Sequence, residues 1–228
     1  MDKRAKENRV LQSEFDDVAL RWIALYDDEN KTAESSWWPI WRKSLKWRMQ
    51  KVIEELGDVS EKNVLELGCG GGHYGAILSS KKAKWIGLDF SFNMLLSARS
   101  LVRSTGHDAK VVQADVFDLP IKTQAIDRLL CIGVIGYYPE RRLTNLFLEF
   151  NRVLKLGEIF IAQSPHPLTS WFRSLFPSRL PRSYSHRPAY LAQLMKKTGF
   201  EVVKIIKIPK YKIMTAGWIY VTRKISSN

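Results

Sequence analysis

Between residues 63 and 165 the chain alternates two apolar patterns: short apolar runs, and longer stretches in which apolar residues recur every three to four positions. The runs at 63–67, 84–89, 110–114, 126–132 and 158–164 predict five strands. The intervening stretches predict helices at 73–80, at 92–103 behind a Ser91 cap, and at 140–154. The last of these carries Leu143, Leu146, Phe147, Phe150, Val153 and Leu154 at helical spacing. Strand and helix in strict alternation are what a parallel sheet with crossover helices requires.

The flanks read differently. Upstream, 40–56 predicts a helix with Leu45, Val52, Ile53 and Leu56 on one face, stopped by Gly57. Ahead of it stand Trp22, Tyr26, Trp37, Trp38 and Trp41, rings expected in a core or lining a site. Downstream, 165–188 holds five prolines and two histidines among several aromatics. Because it leaves the end of the fifth strand, where open α/β sheets bind ligands, it is expected to act as a lid. A helix at 188–197 follows with Pro188 in its first turn, then an antiparallel pair at 201–208 and 212–223. The expected division is a helical cap (1–57), a Rossmann-like core (58–165), a basic lid insert (166–187) and a closing helix and strand pair (188–228).

Val64 to Gly75 carries the chemistry. An apolar strand runs into an acid, Glu66, then into glycines at 68, 70, 71 and 72 before a helix begins. Such glycines let the backbone turn sharply and let a ligand approach the main chain. Nicotinamide and flavin sites use similar loops, and Glu66 separates them. A carboxylate at the mouth of the turn repels a dinucleotide pyrophosphate, which seeks bare N–H groups at a helix N-terminus. It suits a ligand with a cationic amino acid end and no phosphate, and S-adenosylmethionine (SAM) is such a ligand.

Here the chain resembles the class I SAM-dependent methyltransferases, whose first motif reads acid-x-Gly-x-Gly-x-Gly; Glu66, Gly68, Gly70 and Gly72 match it. Trp85 to Asp89 is similar to the family's second strand, and the resemblance gives the ribose hydroxyls to Asp89, 23 residues after Glu66. Gln113-Ala114-Asp115-Val116 resembles the third motif, which implies that Asp115 accepts from the adenine amino group and Val116 donates its backbone N–H. Ala125 to Gly133 resembles the fourth strand, whose end lines the sulfonium side; Cys131 belongs there, with Tyr137 just beyond. Arg152 to Glu158 is similar to the family's helix-to-strand turn, with Leu156 and Glu158 where Pro and Gly are usual. The resemblance covers roughly 50–165 and implies an α/β, Rossmann-like sheet of seven strands, the last antiparallel, with helices on both faces. Phe15 to Ala19 with Trp22 and Tyr26 is similar to the ubiquinone/menaquinone biosynthesis branch (methyltransferase type 11). A fainter likeness to the magnesium-protoporphyrin O-methyltransferases includes Leu175-Phe176-Pro177.

Charge adds a partner class. From Leu168 onward there are twelve Lys or Arg against one acid, Glu201, which is most of the net +13. A one-sided field of this kind points to an anionic partner: an anionic small molecule, an acidic membrane surface or nucleic acid. No apolar run reaches membrane-spanning length, and Met1 to Arg4 does not open a signal peptide, so a cytoplasmic protein is expected, peripheral to membrane at most. Cys69 and Cys131 have no metal-ligand spacing and read as buried thiols, and no catalytic metal is expected.

Methyl transfer from a sulfonium needs an acceptor held in line, and a base only where the acceptor sheds a proton. His166 is the first candidate base, with His186 and Tyr26 behind it. Trp37, Trp38, Tyr137, Trp171, Phe172 and Arg187 are candidate acceptor contacts. The absence of an Asn/Asp-Pro-Pro-aromatic element and of a Pro-Cys pair argues against methylation of DNA bases. A small-molecule enzyme acting on oxygen or nitrogen, with carbon a less favoured target, is the leading expectation. An RNA methyltransferase and a non-catalytic SAM-binding subunit are the alternatives.

Overall fold

The computed structural model describes residues 12, 13, 15, 16, 38–166, 183–211 and 214–227. The elements in chain order are α1 (Trp38–Leu56), β1 (Asn63–Leu67), α2 (His73–Ser80), β2 (Lys84–Asp89), α3 (Phe92–Ser104) and β3 (Lys110–Gln113). There follow β4 (Ile126–Cys131), a 3-10 turn (Ile135–Tyr137), α4 (Glu140–Val153), β5 (Leu154–Pro165), α5 (Pro188–Lys197), β6 (Phe200–Tyr211) and β7 (Met214–Lys224). One seven-stranded sheet forms in the order β3-β2-β1-β4-β5-β7-β6. The first five strands in that order run parallel, and β7 runs antiparallel to both its neighbours. This is the expected architecture. The order reverses between β1 and β4, so their carboxyl ends open the crevice where such sheets bind ligands.

Side chains of successive strand residues point to opposite faces, which divides the core into two layers. Leu65 and Leu67 of β1, Leu129 and Cys131 of β4 and Phe160 of β5 pack against Leu143, Phe147 and Phe150 of α4 and Leu191 and Met195 of α5. Val64, Trp85, Leu130 and Ile161 face the other way, against Val52 and Leu56 of α1, Leu78 of α2 and Leu95, Ala98 and Val102 of α3. Glu66 shares the parity of Val64 and so points into this second layer.

Polar anchors close the frame. Lys224 is buried, and its ammonium donates to the carbonyls of Asn151 and Leu154 at 2.8 and 2.9 Å, at the C-terminal end of α4. Acceptors at a helix end favour a cation there. Arg128 Nε donates to Leu56 O at the end of α1 (3.0 Å), and its Nη1 pairs with Glu158.

The 152–158 stretch, expected as a turn between a helix and a strand at 158–164, is helix to Val153 and β structure from Leu154 onward. Leu154 pairs with Ile126, a register shift follows, and pairing resumes at Arg128 with Ile159. Ala125 N–H donates to Val153 O, so the chain enters the sheet as soon as α4 ends, and Gly157 (φ 79) absorbs the irregularity.

Candidate cofactor and acceptor site

The chain leaves β1 through three glycines in left-handed conformation, Gly68 (φ 66), Gly70 (φ 51) and Gly72 (φ 82). A Cβ on Gly68 would lie 2.3 Å from Val134 Cγ2, and one on Gly72 would lie 2.7 Å from the main-chain Cα of Ala98. At Gly70 it would meet only open space. The outer glycines thus let the loop press against the exit of β4 and against α3, and the middle one leaves an open side to the loop.

Hydrogen bonds hang this loop from β2. The N–H groups of Gly68 and Cys69 donate to Leu88 O at 2.7 and 3.0 Å. Asp89, buried at the end of β2, accepts from Gly70 N–H through Oδ2 and from Ser91 N–H through Oδ1, both at 3.0 Å. A carboxylate offers about four lone pairs, so the clamp leaves acceptor capacity for hydroxyls. Burial raises the Asp89 carboxyl to about 6 against the opposing pull of its backbone donors. Glu66, 3% exposed, accepts from the Trp85 indole N–H at 2.9 Å. Burial raises it to about 8; the indole lowers it and the nearby Asp89 charge raises it further. A cation arriving beside these two buried carboxyls would favour their ionised forms.

The remaining walls follow from strand ends. Past β3, Asp115 Oδ1 accepts from Phe117 N–H at 3.0 Å, and Val116 is buried beside it. Phe117 meets Tyr138 edge to face at 4.9 Å, with the Arg142 guanidinium 4.1 Å from the Phe117 ring. Phe15 stands edge-on to Phe90 (5.4 Å) and to Tyr137 (4.9 Å), while Ser91 Oγ donates to Asp16. Phe90 follows β2, Tyr137 follows β4, and β1 lies between those strands. Phe15 and Asp16 therefore cross the exit of β1, over the glycine loop.

His166 directly follows β5; its N–H donates to Ala216 O (3.0 Å) and its ring lies 4.9 Å from that of Trp218. Tyr184 N–H donates to Gly136 O at 2.6 Å, and a Cβ on Gly136 would lie 3.0 Å from Pro165. Pro165 and Tyr184 thus both lie against the turn at Gly136.

One expectation about the stretch after His166 is corrected. His186 is 1% exposed, with Nε2 3.1 Å from Tyr138 O and Nδ1 3.9 Å from Glu140. Enclosed beneath the turn with one ring nitrogen against Tyr138 O, it packs there and does not face the crevice as a base; burial lowers its pKa. Arg187 is exposed and occupies the N-cap of α5. Cys131, expected on the sulfonium side, is fully buried in the first core layer, where desolvation pushes its thiol up. Tyr26, Trp37, Trp171, Phe172 and the side chain of Trp38 lie outside the described residues.

Sequence reasoning missed the roles of Trp85, Phe15 and Asp16. The signal for the last two was present in the N-terminal stretch shared with the quinone-biosynthesis branch, but a motif carries no contact partner. For Trp85 the signal was its parity with the glycines around it.

Comparison with known proteins agrees with this geometry. Residues 64–157 match the family described as a methyltransferase domain. The malonyl-[acyl-carrier protein] O-methyltransferase of Hamiltonella defensa is 29% identical over 111 residues, 49% of this chain and 41% of that protein. This chain therefore spans well under half the length of that relative. The ubiquinone biosynthesis O-methyltransferase of Salmonella arizonae is 25% identical over 86% of this chain and 73% of its own length. Among solved structures, magnesium protoporphyrin IX methyltransferase from Synechocystis, with bound S-adenosylhomocysteine, superposes with a TM-score of 0.79 at 18% identity, over 95% of this chain and 99% of that one. This chain carries a methyltransferase domain match over residues 64–157, and its strand order and acid-glycine loop are those of the class I SAM-dependent methyltransferase fold.

Proposed function

We propose that this methyltransferase moves a methyl group from SAM to an oxygen or nitrogen atom of a small, amphipathic or anionic acceptor. The observation that carries the reading is the cover over the crevice. Phe15, Phe90 and Tyr137 close over the glycine loop as a tight aromatic wall, a scale suited to a compact molecule. Two relatives named as O-methyltransferases support oxygen as the first acceptor atom to test. The surplus of Lys and Arg after Leu168 supports an anionic group on the acceptor.

SAM supplies an electrophilic methyl group on a positively charged sulfur. The chain's own residues do the rest. Glu66 is the carboxylate for the cationic amino acid end, and Asp89 offers acceptors to a ribose while it holds Gly70 and Ser91. Asp115 and Val116, beside Phe117, take the adenine edge. His166, at the end of β5, is placed to take a proton from an acceptor hydroxyl. Fixing donor and acceptor in line supplies up to about 7–11 kcal/mol of rate acceleration in well-oriented systems.

The test follows methyl-labelled SAM into an extract sorted into lipid-soluble, water-soluble, RNA and protein pools. Label in a small-molecule pool, lost in His166→Ala with SAM affinity retained, is the expected result. Label confined to RNA overturns the acceptor class.

A further inference from the structure

We infer that Trp85 is a positioning residue of the cofactor site: it fixes the Glu66 carboxylate that receives the ligand's cationic end, and it props the glycine loop above that carboxylate. The inference rests on SAM being the ligand of this loop.

The indole is 2% exposed and lies in the second core layer, on the same side of the sheet as Glu66. Its Nε1–H donates to Glu66 Oε2 at 2.9 Å. An indole N–H is a donor only, so this contact favours an acceptor oxygen and hence the ionised acid. Its ring fills space that two glycines vacate. A Cβ on Gly75 in α2 would lie 2.5 Å from the ring, and one on Gly87 in β2 would lie 2.4 Å from it. Neither glycine has a positive φ, so room for the indole, and not backbone conformation, accounts for them. The same virtual atom on Gly87 comes 2.9 Å from Cys69 Sγ, in the middle of the cofactor loop. One side chain therefore touches the floor acid, the strand that carries Asp89, the first turn of α2 and the surroundings of the loop.

The groups that act on Glu66 are the Trp85 donor on β2 and the Asp89 carboxylate at the end of that strand; Cys69 on the loop feels both acids. Among the described residues, only Trp85 favours the charged form of Glu66. Removing the donor while keeping a ring should make Glu66 harder to ionise and leave the packing mostly in place.

Trp85→Phe tests this by calorimetric titration with SAM between pH 6 and 9. At pH 7.5 the affinity should fall about tenfold, and the pH at which affinity reaches half its maximum should rise by about one unit, since one unit of pKa corresponds to a tenfold change. Glu66→Gln should flatten the pH profile in both backgrounds. A folded Trp85→Phe with wild-type affinity and midpoint overturns the inference, while a wild-type protein that binds no SAM overturns the function reading instead. If Trp85→Phe does not fold, the wild-type protein labelled with 15N at its indoles still decides. The resonance absent from Glu66→Gln at its wild-type position should titrate near pH 8 and shift on SAM addition. An indole spectrum insensitive to pH, to SAM and to Glu66→Gln overturns the inference.

Discussion

At the cofactor end of the crevice the walls are largely main chain: Gly68 and Gly72 pressed onto their neighbours, and N–H groups of residues 68–70 tied to Leu88 and Asp89. At the proposed acceptor end they are side chains: Phe15 on Tyr137 and His166 beside Trp218, near the turn at Gly136. Main-chain walls demand particular residues at fixed spacing, because only glycine occupies those conformations without clash. Side-chain walls accept any residue of suitable size and so vary with the acceptor. On the proposed reading, one end receives the cofactor and the other the acceptor.

The largest effect should separate two glycines of equal conformation. Gly72→Ala forces a Cβ onto the backbone of Ala98, and overpacking added to left-handed strain should cost about 2–5 kcal/mol, with SAM binding lost. Gly157 has φ 79 but open space around it, so Gly157→Ala should cost only about 1–2 kcal/mol and leave SAM affinity unchanged. Equal thermal shifts in the two variants would remove the claim that close packing sets the loop.

Next comes Glu66→Gln. The fold holds the Glu66 proton up to about pH 8, whereas the unfolded chain releases it near the ordinary carboxylate value. The ligand-free protein therefore loses stability as pH rises between those points. Gln carries no such charge, so at pH 9 the variant should melt about 5 °C above the wild type, and at pH 5 the two should melt together. SAM affinity should drop at the same time, so the acid is kept for function at a cost in stability.

The smallest effect belongs to the cover. Phe15→Ala removes a ring from between Phe90 and Tyr137 and should weaken SAM or acceptor binding by about 1 kcal/mol, with an unchanged melting temperature. A large loss of stability would recast Phe15 as core.

The same contrast explains what the sequence disclosed. β1, β2, α2 and α5 begin and end where the apolar pattern and the punctuating residues put them. β5 began early because entry into a sheet depends on its partner, Ile126, which no local pattern around Leu154 contains. Glu158, noted only as a departure from a family turn, supplies the partner of Arg128, itself tied to the end of α1. His186 misled because composition cannot tell a ring facing a crevice from one beneath it, whereas Cys131 is the buried thiol its spacing suggested. Among the described residues no helix is long and apolar enough to cross a membrane.

The central claim is that the Glu66–Asp89 floor and its glycine loop bind SAM. Calorimetric titration of wild type and Asp89→Ala at pH 8 tests it most directly, with melting curves to confirm that both are folded. The expected result is saturable one-site binding in the wild type and affinity weaker by at least about thirtyfold, roughly 2 kcal/mol, in the variant. Equal affinity in two folded proteins would contradict it.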